Sequence, residues 1–206
     1  MAKPRQRRAA TAEKVALLLD ATEEIMINEG YAAVSSRSVA ASVGIHAPLL
    51  HYYFPTIDDL FVAVVRRRSE QYLERMAAAL ASPEPLRAWW ELASDPRGAG
   101  LFAEAIAAAN HRPALREEVG TVARELRRMQ MQALTTLLDE YGLNSEEFPP
   151  ALVAATMQGL AFGLVSDQMA GYETAHEEAA AAMVQLVERL EQRRSRRGDL
   201  STSDST

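Results

Sequence analysis

The chain has 206 residues, 48% of them apolar, enough to bury a sizeable core in one large domain or two small ones. It carries a formal charge of −6 and no cysteine, which excludes a disulfide framework or a thiolate metal site and fits a cytoplasmic protein. No stretch reaches the roughly 18 apolar residues of a membrane span, and the basic start "MAKPRQRRAAT" lacks the apolar run of a secretory signal.

Residues 1–10 read as a disordered basic arm: Lys3, Arg5, Arg7 and Arg8 lie there with no acid among them. Residues 1–70 hold nine Lys+Arg against eight Asp+Glu, and the remainder thirteen against twenty. A basic head on an acidic body suits a nucleic-acid module joined to a regulatory or oligomerising domain. The pattern is all-α, about nine helices, with no convincing period-2 run. Thr11 is placed to cap the first helix, whose apolar stripe is Val15, Leu18, Leu19, Thr22, Ile25 and Met26, and Gly30 ends it. Two short helices follow, near 36–43 and 47–53. The turn "FPTIDDL" opens a long fourth helix, with Thr56 as N-cap and Asp58 and Asp59 in its first turn. Further helices are expected near 85–93, 98–110, 113–140, 148–170 and 174–194, and residues 195–206 read as a disordered polar tail.

The stretch "VAASVGIHAPLLHYYF", residues 39–54, meets the demands of a helix-turn-helix. Ala40 is small where two helices must cross. Gly44 supplies the positive-φ turn. Val43 and Ile45 flank it, Leu50 and Tyr53 pin the second helix, and Pro48 marks that helix's first turn. Its N-terminal residues His46, Ala47, Pro48 and Leu49, with His51 one turn on, would face base edges in a major groove.

Over residues 29–64, "EGYAAVSSRSVAASVGIHAPLLHYYFPTIDDLFVAV", the chain resembles the TetR family of bacterial transcription regulators. The matching features are Gly30-Tyr31, Ser35 and Arg37 at the start of the second helix, the alanine-glycine turn and the aromatic-Phe close. The resemblance implies a three-helix DNA-binding head with a helix-turn-helix at residues 11–56. It implies a larger helical ligand-binding and dimerisation domain at 57–194. It further implies a homodimer on a palindromic double-stranded operator, most often a repressor released by a small, largely apolar effector. Tyr52, Arg37 and Ser36 are then expected at phosphates, together with Arg5, Arg7 and Arg8 of the arm. Two positions depart from the family pattern: His51 stands where tyrosine is common, and Ile57 where a phosphate-binding lysine is common. The expected groove helix also has no Arg, Lys, Asn or Gln for bidentate base contacts, so thymine-methyl contacts, DNA shape and phosphates must carry more of the binding. Arg66-Arg67-Arg68 reads as a solvated face.

In the body, Trp89, Trp90, Phe102, Ile106, Met129 and Leu134 are candidate pocket residues, with Gln130 and Gln158 as polar contacts. The Ala- and Gly-rich segment "ALVAATMQGLAFGLVSDQM" and the stripe after it suggest a dimer face using Met157, Leu160, Leu164, Met183, Leu186 and Leu190. No HExxH, GxSxG or P-loop pattern occurs, so no enzyme, cofactor or metal is expected. The alternative is a helical small-molecule carrier or adaptor that kept the head but lost DNA binding.

Overall fold

The computed structural model describes residues 4–172 and 174–203, with side chains for 10–172 and 174–197. Among the described residues nine helices run in order: α1 (Pro4–Glu29), α2 (Ser36–Ser42), α3 (Ala47–Tyr53), α4 (Ile57–Leu80), α5 (Pro85–Ala93), α6 (Pro96–Ala109), α7 (Pro113–Glu140), α8 (Pro150–Met169) and α9 (His176–Ser203). A 3-10 turn, Tyr31–Ala33, joins α1 to α2, and no strand occurs among the described residues. Five helices begin at a proline. The ring presets a helical φ and removes only an amide that the first turn leaves unbonded.

Both chain ends differ from expectation. α1 begins at Pro4 rather than Thr11, so residues 4–10 are helical and not a disordered arm. α9 runs to Ser203 instead of ending near 194. In both places polarity reads as disorder; at the start Arg, Gln and Ala are among the better helix formers, whereas SRRGDLSTS at 195–203 is helical despite its Gly, Asp, Ser and Thr.

The chain divides into two compact units. The first holds the residues up to Glu70 with Leu101–Thr121; the second holds Gln71–Gly100 and the residues from Val122 on. A boundary at 56 therefore cuts through the head. Its core joins Leu18, Ile25 and Met26 of α1 to Val39 and Leu50, but also to Leu60, Phe61 and Val64 of α4, and to Leu101, Ala105 and Ala108 of α6. Thr22 sits on the buried stripe of α1 because its hydroxyl donates to the Leu18 carbonyl at 2.7 Å. Glu23, 7% exposed, is held there by Arg67 and Arg68, and Arg67 also pairs with Asp20. Arg66 reaches Glu118 at 2.7 Å. The triple-arginine run is therefore a set of ties rather than the solvated face expected of it. A buried carboxylate without its cation would be strongly destabilising.

In the second unit α5 packs on α8 and α9. Trp89, Leu134, Tyr141, Ala154, Met157 and Val187 lie at its centre. Glu84 offers α5 no side-chain cap. Glu191 supplies one from α9, accepting from the Leu86 amide at 2.8 Å and the Arg87 amide at 3.2 Å. The Tyr141 hydroxyl donates to the same carboxylate at 2.7 Å. Burial, and then Glu191 itself, push the Tyr141 hydroxyl far above the ordinary tyrosine range.

Candidate nucleic-acid interface

The short pair α2–α3 is built from local rules. Ser35 and Ser38 form a reciprocal capping box at the start of α2: the Ser38 amide donates to Ser35 Oγ at 3.0 Å and the Ser35 amide to Ser38 Oγ at 2.9 Å. α2 ends in a Schellman arrangement, with the Ile45 amide donating to the Ala40 carbonyl at 2.9 Å and the Gly44 amide to Ala41 at 3.2 Å. Gly44 takes φ +67°, which closes that turn. A Cβ at Gly44 would meet nothing within 4 Å, so it is the backbone angle, not space, that asks for glycine. Pro48 lies in the first turn of α3, and the Phe54 amide closes the helix onto the Leu50 carbonyl at 2.9 Å. Leu50 and Val39 are fully buried, with Ala40 and Phe54 nearly so.

What remains faces outward. His46, Pro48, Leu49, His51 and Tyr52 are exposed, Tyr52 by 77%, and Ala47 is half-buried between them. Arg37 is exposed and Ser36 half-buried on the first turn of α2. Tyr53 packs against the core and meets Tyr52 edge-on at 5.1 Å. The side chains of Arg5, Arg7 and Arg8 lie outside the described residues. Ile57, the first residue of α4, packs against the head core, and its side chain carries no cation for a phosphate. Thr56 caps α4 with Asp59, its amide donating to the Asp59 carboxylate at 2.9 Å.

Two contacts had no sequence signal. His51 Nδ1 lies 3.1 Å from the Pro55 carbonyl. A carbonyl only accepts, so Nδ1 carries the proton. In the neutral ring Nε2 is then an acceptor, and only the protonated ring can donate from it. His51 could therefore donate to a phosphate only as the imidazolium. The second contact joins elements 73 residues apart: the Tyr31 amide donates to the Glu104 carboxylate of α6 at 2.6 Å.

The expected body sites are rearranged. Trp89, Trp90, Gln130 and Leu134 are buried in the second unit, with Met129 and Gln158 half-buried. Phe102 and Ile106 belong to the first unit and are exposed by 44% and 38%, so they are not part of that interior. The core face of α6 is Leu101, Ala105 and Ala108, and these two residues fall one position round the helix from it. Met157 and Met183, expected on a dimer face, are buried inside the second unit, whereas Leu186 is 45% exposed and Leu160, Leu164 and Leu190 are half-buried.

Residues 18–64 match the family model of bacterial regulatory proteins of the tetR family. No curated protein sequence matches the chain. Several solved structures are similar in fold. A TetR transcriptional regulator from Legionella pneumophila is 19% identical with a TM-score of 0.61, covering 82% of this chain and 95% of that one. A protein from Saccharomonospora viridis described as a transcriptional regulator, in complex with choline, is 17% identical with a TM-score of 0.68 over 86% and 96%. The multidrug binding protein EbrR, complexed with imidazole, is 25% identical with a TM-score of 0.53 over 84% and 94%.

Proposed function

We propose, from the match of residues 18–64 to the tetR family model and the helical fold of the described residues, that the protein is a ligand-responsive, DNA-binding transcriptional repressor. The carrying observation is the outward face of α3, on a helix-turn-helix whose inward face is fully packed. In this reading His46, Ala47, Pro48 and Leu49 enter the major groove, while Tyr52, Arg37 and Ser36 sit at phosphates. Arg5, Arg7 and Arg8 add phosphate charge. Ala47, Pro48 and Leu49 meet thymine methyls, and neutral His51 accepts through Nε2 from an exocyclic amino group of adenine or cytosine.

A palindromic operator needs two heads, so the functional form is a homodimer. α8 supports one: opposite its buried Ala154, Met157 and Ala161 it exposes Leu152, Ala155 and Gly159, and Leu186 of α9 is also exposed. This small, apolar face replaces Met157 and Met183 as the proposed contact. The Met- and Trp-rich interior of the second unit suits a small apolar effector, and two of the fold neighbours were solved with small molecules, choline and imidazole. The protein acts by binding rather than catalysis. Among the described residues no helix is long and apolar enough to cross a membrane, in keeping with action in the cytoplasm.

A gel shift with DNA from the protein's own upstream region tests this. A complex that survives excess unrelated DNA is expected. A folded protein that forms none, with or without small molecules, would instead be a helical carrier.

A further inference from the structure

Among the described residues of the second unit, two that are fully buried each carry a hydrogen-bond donor with nothing to receive it. Trp89 of α5 is fully buried, and its indole Nε1 has no partner. Gln130 of α7 is 1% exposed, and its Nε2 has none either. Their surroundings are apolar. Trp89 shares its cluster with Met76, Leu134 and Met157, and Gln130 lies one helical turn from both Leu126 and Leu134, which face the same cluster. A donor stripped of water and left unmatched bears its whole desolvation cost, so folded interiors seldom keep one without a use.

The side-chain acceptors that bind residues of this cluster already hold donors. The Glu191 carboxylate takes the Leu86 and Arg87 amides and the Tyr141 hydroxyl, and Gln158 Oε1 takes the Tyr72 hydroxyl at 3.3 Å. The lining is deformable as well. Met76, Met129, Met131, Met157 and Met183 belong to the cluster or pack against it, five of the eight methionines in the chain. Unbranched thioethers repack around a guest at little cost.

We propose that Trp89 Nε1 and Gln130 Nε2 are the polar anchors of the effector site, and that the effector is a neutral, largely apolar molecule carrying carbonyl or ether oxygens. The assignment rests on the reading that the second unit holds an effector. A hydrocarbon of the same shape leaves both donors unmatched, and a cation finds no unengaged carboxylate among the described buried residues.

Calorimetric titration of the full-length protein with three probes of one skeleton tests this: 2-acetylnaphthalene, 2-isopropylnaphthalene and 2-naphthyltrimethylammonium. The ketone is expected to bind about 10- to 100-fold more tightly than the other two, the scale of about 1–3 kcal/mol for a buried donor that gains or loses its match. Trp89→Phe removes the indole donor and should erase most of that preference. Should that variant not fold, Gln130→Met, close in volume and without a donor, carries the same test, and it should also melt at a higher temperature without ligand. Equal binding of ketone and hydrocarbon, tighter binding of the cation, no binding by any probe, or a preference unchanged in both variants would overturn the proposal. DNA binding is measured in parallel. A specific upstream-DNA complex without the ketone preference removes this proposal and leaves the regulator reading standing, and the ketone preference without a DNA complex does the reverse.

Discussion

The Tyr31 amide donates to the Glu104 carboxylate at 2.6 Å, so a side chain of α6 holds the turn that leads into the helix-turn-helix. Gly30, just before it, takes φ +83°, and a Cβ there would stand 3.6 Å from the same carboxylate. Glu104→Ala should destabilise the head by about 1–2 kcal/mol, the range of a hydrogen bond to a charged group with partial exposure. Glu104→Gln, which can still accept, should recover part of it. Urea melts of the full chain measure both, and equal stability of all three proteins would show the contact to be idle.

Gly44 allows a cleaner separation of strain from packing. Its surroundings are open, so Gly44→Ala meets no clash and pays only for left-handed backbone, about 1 kcal/mol. Leu50→Ala, by contrast, empties a fully buried site and should cost about 2–5 kcal/mol. A Gly44→Ala cost as large as that of Leu50→Ala would mean that the turn is packed more tightly than its geometry shows.

His51 gives the proposed interface a readout at a single base position. With Nδ1 committed to Pro55, neutral Nε2 suits an amino-bearing base and the imidazolium suits an acceptor. Selection of operator sequences by the wild-type protein should show a base preference at one position of each half-site. His51→Phe should relax that preference by roughly fivefold, the scale of one net hydrogen bond near 1 kcal/mol. Identical selected sequences from wild-type and His51→Phe would remove His51 from the reading face.

The Tyr141–Glu191 bond predicts an alkaline limit on stability. Burial raises the folded Tyr141 above its ordinary value of 10.0. The folded protein therefore keeps this proton after the unfolded chain has released it, so its stabilising effect is full below pH 10 and declines as pH rises beyond. Urea melts taken through that range should show wild-type stability falling more steeply than that of Tyr141→Phe, which keeps the buried Tyr72 hydroxyl. Parallel slopes would show that Tyr141 ionises alike in both states.

Much of the head was legible because its signals are local. Gly44, Pro48 and the apolar spacing of Val39, Ala40 and Leu50 all act within one or two turns of chain, and the Ser35–Ser38 box could have been read in the same way. What escaped depends on pairing across long separations. Glu104 meets Tyr31 from 73 residues away, and Glu191 caps α5 from 105. Arg66 to Arg68 look solvated until α1 and Glu118 are brought beside them. Phe102 and Ile106 differ from the buried Leu101 and Ala105 by a single step round a helix, and composition does not resolve such a step. Polar ends were mistaken for disorder because polarity says little about helix propensity.

The most direct test of the DNA-reading claim is the salt dependence of binding to an upstream DNA fragment, measured by fluorescence anisotropy for wild-type, Arg37→Ala and Tyr52→Ala. Wild-type affinity should fall steeply between about 50 and 200 mM salt as counterions are displaced from phosphates. Arg37→Ala should weaken binding on all sequences and lower the log–log slope by about one. Tyr52→Ala should weaken binding with the slope unchanged. A nearly flat salt response, or three indistinguishable isotherms, would contradict the placement of α2 and α3 on DNA.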